Sequence, residues 1–356
     1  MKIRDTSKEK LFHNRGGNKT VPIFLKTTSK KQRGAFVDVK GFAVGHASDR
    51  SQRTGCTVIL FDHPYPLIAD VRGGAPTTRE TASFYRLSSH AKADALVLVG
   101  GSAFGLAAAD GVVSYLAERR KGRRTSAGIV PRVPAAVIYD LAVSRGVYPN
   151  AEMGRKACSC ACATNTERGN VGAGTSATIG KMFGTKGWMK GGLGTASHRL
   201  PDGTTIGAIA VVNSFGDVLH TKNGNIVAGL RSPGHFRFAD TERLLLTKSR
   251  LPSKVEDGNT TLVIVATDLM IGVNDLALIS QAAHDAIAAS IRPAHTVFDG
   301  DVVFAITTQD RKGSLLRVLA AAQDATQRAI LDAVLSATSL AGIPSARDIA
   351  KWEHIP

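Results

Sequence analysis

Hydrophobic positions come in short runs separated by glycine-rich turns through most of the chain, and then in longer, more regular stretches toward its end. Gly41–Val44 and Thr57–Phe61 read as strands, and Ala69-Asp70-Val71 reads as a strand running into the loop Arg72-Gly73-Gly74-Ala75-Pro76. Ala95–Val99 is a continuous apolar run closed by Gly100-Gly101, and the alanine-rich stretch Phe104–Leu116 has helical periodicity. The intervening Gly100-Gly101-Ser102 therefore marks a strand-to-helix turn, where backbone N–H groups can point at an anion or a carbonyl oxygen. Ile206–Val212 is a further strand, ending at Asn213. Residues 215–256 are mixed and polar, charged from Lys248 to Asp257, and are expected to form a mobile connection.

The texture then changes. Asn259-Thr260-Thr261 leads into Leu262–Ala266, a run that only a strand buried on both faces tolerates. Asn274-Asp275 can cap a helix from Leu276 to about Ile291, with Leu276, Ile279, Ala283, Ile287 and Ile291 on one face and Pro293 as its stop. The loop His295–Asp301 turns into a strand Val302–Thr307, and a last helix covers Leu316–Ala337. No repeat is present.

Composition narrows the class. Hydrophobic residues make up 43% and charged residues 21%, the balance of a folded globular protein rather than a disordered one. The 36 glycines cluster between apolar segments, as at Gly172–Gly174 and Gly191–Gly194, which suits sheets whose backbones pass close to one another. The net charge of +16 suggests nucleic acid until it is located: residues 1–33 hold ten Lys/Arg against two Asp/Glu, and a second knot is Arg119-Arg120-Lys121-Gly122-Arg123-Arg124. No aromatic residues interleave with these charges as single-strand binders require, so the reading is a solvated, disordered arm and an exposed loop. The segmentation expected is an arm 1–33 and a single catalytic domain 34–356.

No signal-peptide core and no apolar stretch approaching about 20 residues is found, so a cytoplasmic protein without a membrane partner is expected. Cys158, Cys160 and Cys162 lack histidines at a zinc interval, and neither a P-loop nor a dinucleotide fingerprint occurs; no metal and no cofactor is expected.

Chemistry concentrates at Thr260. Were the chain cut just before it, Thr260 would carry an α-amine of reference pKa about 7.7–8 beside its own hydroxyl, a nucleophile and its base on one residue. Before cutting, the same hydroxyl could attack the Asn259 carbonyl to give an ester that water opens. Asp299-Gly300-Asp301 could be brought beside it by a strand–helix–strand unit, its two carboxylates steering the amine and its proton. From these letters alone, a threonine entering a strand and a D-G turn with solvated acids remain open.

At this point the chain resembles the P1 (S58) peptidases, the L-aminopeptidase/D-amidase-esterases and their relative the nylon-oligomer endohydrolase. The motifs are Gly-Asn259-Thr260-Thr-Leu-Val-Ile-Val-Ala-Thr, His295-Thr-Val-Phe-Asp299-Gly-Asp301, Asp70-Val-Arg72-Gly-Gly-Ala-Pro, Gly100-Gly101-Ser102-Ala-Phe-Gly, Val133-Pro-Ala-Ala-Val-Ile-Tyr139-Asp, Gly169 through Lys181, and Val211-Val-Asn213, in order from residue 36 to about 340. The resemblance implies an α/β fold, a four-layer αββα sandwich cut into an α chain 1–259 and a β chain 260–356, with no cofactor and a tetramer of αβ units. It implies a nucleophile role for Thr260, carboxylate roles for Asp299 and Asp301, and places for Lys181, Asn213 and Tyr139 near the reacting carbonyl. Gly101, Ser102 and Arg72 fall in its substrate-binding motifs.

Three features depart from the family pattern. The nucleophile is threonine where many aminopeptidase members have serine, the loop between Glu118 and Val133 is unusually basic, and the arm 1–33 lies outside the resemblance. The function expected is a self-processing aminopeptidase-like amide hydrolase acting on short peptides, amides or esters. The alternatives are an acyltransferase of the ornithine acetyltransferase type, an endohydrolase of aminohexanoate oligomers, and a basic polyanion-binding protein.

Overall fold

A computed structural model describes residues 34–85, 92–232, 237–251 and 258–352. The basic arm 1–33 lies outside them, as does part of the charged stretch before Asn259. The principal elements, in chain order, are β1 (Phe42–Asp49), β2 (Thr54–Val71), β3 (Lys92–Val99), α1 (Ala108–Glu118), β4 (Ala135–Val137), α2 (Ala151–Ser159), β5 (Gly192–Arg199), β6 (Thr205–Asn213), β7 (Thr260–Leu269), α3 (Val273–Ser290), β8 (Val302–Arg311) and α4 (Leu315–Ser336).

The strands run β5-β6-β7-β8-β2-β3-β4, with β1 also on β2. The two strands expected at 57–61 and 69–71 are parts of the single 18-residue β2. Its first half pairs with β1 and β3, and its last residues, Leu67–Val71, pair with β8. One strand thus belongs to two sheet layers.

Side-chain alternation then builds the stack. On β7, Leu262, Ile264 and Ala266 join Ile209 and Val211 of β6, Phe304 and Ile306 of β8, Ile59 of β2 and Leu96 and Leu98 of β3 in a core between the layers. The opposite face of β7, with Val263 and Val265, meets Leu276, Ile279 and Ile287 of α3 and Ala325, Ala329 and Ala333 of α4. The opposite face of β3, with Ala95, Val97 and Val99, meets α1 and α2. Three apolar layers between helix, sheet, sheet and helix make a four-layer αββα sandwich. The run 262–266 is apolar without break because both its faces are covered. The α4 backbone lies so close to β5 that a Cβ at Gly194 would run into the Ala329 carbonyl.

Some local expectations need correction. The third major helix starts at Val273 with Gly272 at its N-cap, so Asn274 and Asp275 lie inside its first turn. Ile291 has left the helix and pairs with Val218 in a small sheet. Within the described part of 215–256 the expectation of a mobile connection is corrected, because Asp217–Leu219 and Ile226–Ala228 are paired strands and Thr241–Thr247 is a helix; 233–236 and 252–256 lie outside the described residues. The anchor of this segment is the buried Asp217 carboxylate, which accepts from Leu230 N–H (2.6 Å), Thr241 N–H (2.7 Å) and the Thr241 hydroxyl (3.0 Å). Polar letters there are spent inward on backbone, a use that hydropathy does not register. The helix expected over 104–116 is divided, a short turn Ser102–Gly105 preceding α1.

Candidate active site

Thr260 opens β7 between two strands. On one side Asn213, the last residue of β6, stands opposite it in the antiparallel ladder. On the other, β7 and β8 are parallel and joined by α3, which brings the loop before β8 alongside as a bridge between Asn259 and Asp299. The Asn259 side of the Asn259–Thr260 bond is held by that loop: Asn259 N–H donates to the Phe298 carbonyl (2.9 Å), and the Asn259 carbonyl accepts from Gly300 N–H (2.7 Å). The Thr260 hydroxyl donates to the same carbonyl oxygen. Thr260, Asn259, Asn213, Lys181, Asp299 and Asp301 are all buried.

Asn213 is a junction. Its Oδ1 accepts from Thr178 N–H (2.9 Å) and Lys181 Nζ (3.1 Å), and its Nδ2 donates to the Tyr139 carbonyl (3.1 Å). Lys181 Nζ also lies 5.2 Å from the centre of the Trp188 ring. Tyr139 joins the site through this carbonyl and by packing its ring against Gly258, where a Cβ would come within 2.6 Å of the ring carbon Cγ.

The two carboxylates face different groups. Asp299 accepts from Phe215 N–H (3.3 Å), Thr296 N–H (3.0 Å) and the Thr296 hydroxyl (2.6 Å). Its burial, and then the charge of Asp301, hold it above the usual carboxylate range. Asp301 accepts from Thr261 N–H (2.6 Å) through Oδ1, and from His295 Nδ1 (2.7 Å) and His295 N–H (3.2 Å) through Oδ2. Arg72 N–H donates to the Asp301 carbonyl (2.8 Å), while its guanidinium turns to Asp70 (3.4 Å).

Gly101 and Ser102 are hydrogen-bonded to the two neighbours of Tyr139 in the chain, Asp140 and Ile138. Their N–H groups point at oxygens of the protein itself: Gly101 donates to the Asp140 carboxylate (2.7 Å) and Ser102 to the Ile138 carbonyl (3.0 Å). Both take positive φ, +87° at Gly101 and +53° at Ser102, the latter uncommon outside glycine.

Several residues at or beside the site had been given no role from sequence. Asp140 is buried, and burial pushes its pKa up to about 6 against the pull of Gly101 N–H, Lys181 and Lys190. Lys190 is buried with Nζ on the carbonyls of Ala177 (2.6 Å) and Thr175 (3.2 Å), and burial lowers its pKa to about 7. Asp140 follows Tyr139 directly and Gly300 sits between the two aspartates, so adjacency was a usable signal for both. For Lys190 nothing local marks a buried lysine. His295 begins the very loop that carries the carboxylates.

The model of peptidase family S58 matches residues 34–347. An uncharacterised aminopeptidase of Mycobacterium leprae is 38% identical over 345 residues, covering 87% of this chain and 92% of the relative. The 6-aminohexanoate-oligomer endohydrolase of Kocuria sp. (strain KY2) is 33% identical over 276 residues, 77% of this chain and 74% of the relative. Among solved structures, a Burkholderia sp. beta-aminopeptidase superposes with a TM-score of 0.66 at 20% identity, over 91% of this chain and 96% of that one. The L-aminopeptidase D-Ala-esterase/amidase of Ochrobactrum anthropi, described as a variant of the Ntn hydrolase fold, gives 0.65 at 20% identity, over 90% and 95%. At that identity the two structures speak to the fold alone.

Proposed function

Because the chain belongs to peptidase family S58, we propose that it is a self-processing amide hydrolase of aminopeptidase type, with Thr260 as nucleophile. The observation that carries this reading is the Asn259 carbonyl, which receives the Thr260 hydroxyl and Gly300 N–H on one oxygen. A nucleophile at the carbonyl and a fixed donor on the oxygen that will become negative are what an acyl transfer within the chain needs.

In maturation, Thr260 Oγ1 bonds to the Asn259 carbonyl carbon, the C–N bond breaks, and the hydroxyl proton passes to the departing Thr260 nitrogen. Water then opens the resulting ester, leaving a carboxylate on Asn259 and a free α-amine on Thr260. In turnover that amine, with a reference pKa of about 7.7–8, takes the hydroxyl proton as Oγ1 attacks a substrate amide. The proton goes to the leaving amine, the acyl group rests on Thr260, and water releases it. In this reading Lys181 and Asn213 Nδ2 serve as the side-chain donors to the oxyanion once the Asn259 end has moved away. Asp299 and Asp301 supply the negative field around the new ammonium. No step calls for a cofactor.

The substrate class follows the relatives' names: short peptides, amino-acid amides or esters that lose an N-terminal residue. The aminopeptidase relative matches at higher identity and over more of the chain than the 6-aminohexanoate-oligomer endohydrolase. The latter similarity supports, as a second reading, cleavage inside oligomers of an ω-amino acid by the same acyl-enzyme.

The test is a denaturing gel and intact mass of fresh protein beside Thr260→Ala. The expected result is chains of 259 and 97 residues, the small one beginning at Thr260, and an uncut 356-residue variant. A wild-type chain that stays whole, or is cut elsewhere, overturns the reading.

A further inference from the structure

We infer that His295 is the positioning residue of self-cleavage: it fixes the Asp301 carboxylate that in turn holds the Thr260–Thr261 peptide against the scissile bond. The inference rests on the proposed role of Thr260 and adds the device that aims it.

Asp301 lies one residue beyond Gly300, the donor on the scissile carbonyl. Its Oδ1 takes Thr261 N–H at 2.6 Å, so this oxygen sets where the backbone immediately after the nucleophile sits. Its Oδ2 is taken twice by one residue, through the His295 ring at 2.7 Å and the His295 N–H at 3.2 Å. For both to reach one oxygen the chain at His295 adopts φ +55°, a conformation an L-residue takes up only at a cost. Backbone strain at a non-glycine residue beside a reactive bond marks a constraint that the surroundings impose.

The ring itself is held from behind. The His284 ring meets it edge-on, centroids 4.9 Å apart at 69°. His284 is fully buried and its Nε2 lies 3.1 Å from the Asp70 carbonyl; a carbonyl can only accept, so Nε2 carries the proton. Burial lowers its pKa to about 4, and it stands as a neutral wall. Arg72, the other charged group facing His295, is turned toward Asp70, with Ser280 of α3 on the same carboxylate oxygen at 3.4 Å. The ring is thus held between His284 of α3 and Asp301 of the loop before β8, and its Nδ1 is bonded to Asp301. No substrate group is needed to explain this arrangement, because its far end is the chain's own Thr261.

The test uses His295→Gly in the full-length chain. Glycine accepts φ +55° without strain and keeps the backbone N–H bond to Asp301, so only the ring is lost. Pulse-labelled protein is followed from the 356-residue chain to its two fragments. Loss of one charge-assisted hydrogen bond predicts cleavage slower by roughly 10- to 100-fold. His295 is one-fifth exposed, so imidazole added to the buffer can refill the hole and is expected to restore the rate. His295→Asn, which tolerates the same φ and offers a neutral N–H, is expected to cleave within a few-fold of wild type; should the glycine variant not fold, His295→Asp, which tolerates the same φ but offers Asp301 no donor, is expected to cleave at least about 10-fold more slowly than His295→Asn, and equal rates overturn the inference. In the uncut Thr260→Ala chain, adding His295→Gly should speed hydrogen exchange at the Thr261 amide.

Cleavage at the wild-type rate in His295→Gly overturns the inference. So does slow cleavage that imidazole leaves unchanged in a variant with wild-type melting, since packing of the ring would then be its whole role. A wild-type chain that never cuts at Asn259–Thr260 is a different result and removes the role of Thr260 instead.

Discussion

Replacing Gly300 by alanine puts a Cβ 2.5 Å from the Ala75 carbonyl oxygen and 2.9 Å from Pro76 Cα, both backbone atoms that cannot swing aside. Ordinary contact begins near 3.4 Å, so the strand start must retreat by roughly 0.9 Å. Gly300 N–H now sits 2.7 Å from the Asn259 carbonyl; a retreat of that size directed along the bond would stretch it to about 3.6 Å, beyond hydrogen-bonding distance. Removing one donor from a developing oxyanion slows acyl transfer about 10²–10³-fold, and the overpacking itself costs about 1–3 kcal/mol of stability. The assay is the half-time for conversion of newly made chain into its fragments, with Gly272→Ala as control because a Cβ there meets nothing within 4 Å. The expected outcome is a folded variant that accumulates uncut chain while the control matures normally. Maturation of Gly300→Ala at the wild-type rate, with a melting temperature lowered as expected, refutes the assignment of this N–H to the scissile carbonyl. Turnover per cut chain is a second readout: in the proposed maturation the donor acts on a carbonyl that then leaves, so turnover should change far less than cleavage. An equal fall in both would move the effect to the flanking carboxylates of Asp299 and Asp301.

Thr260→Ser keeps a hydroxyl at the proposed cleavage point and is expected to mature, whereas Thr260→Ala is not; intact mass distinguishes them. Phe304→Ala empties a fully buried site between the two sheets and is expected to cost about 3–5 kcal/mol in urea unfolding of the uncut Thr260→Ala chain. Lys190 has a folded-state pKa of about 7, below an unfolded value of about 10.4, so the unfolded chain binds more protons between those limits and stability rises with pH across that window. Lys190→Met should lose that rise, checked by melting temperatures from pH 7 to 10; a parallel slope in both proteins would contradict the burial of this ammonium.

The order and type of the main elements were legible because they depend on local pattern. An apolar run without polar interruption, Leu262–Ala266, can only be a strand covered on both faces, and it lies between two apolar layers. The periodic stretches before and after the 295–301 loop gave α3 and α4 to within a few residues. Where local pattern failed, a polar side chain was spent on distant backbone. Asp217 ties down a segment that reads as loop through Leu230 and Thr241.

The candidate site shows the same division. Thr260 with its preceding Asn259, and the Asp299-Gly300-Asp301 turn, are adjacent in the chain or separated by one strand–helix–strand unit, so their meeting follows from the preference of two parallel strands for a helical crossover. Tyr139, Lys181 and Asn213 were carried by family resemblance, since nothing in their own neighbourhoods fixes a partner. Only the tertiary structure decides that Asn213 pairs with Thr260 across the ladder and gathers Lys181 and the Tyr139 carbonyl around its amide. It alone decides that Gly101 and Ser102 turn their N–H groups inward, that Lys190 and Asp140 are buried, and that His295 clamps Asp301. Sequence records what each residue can donate, accept or bury. Which of those capacities are used depends on long-range pairing of strands and on the loss of water around them, and neither quantity is local.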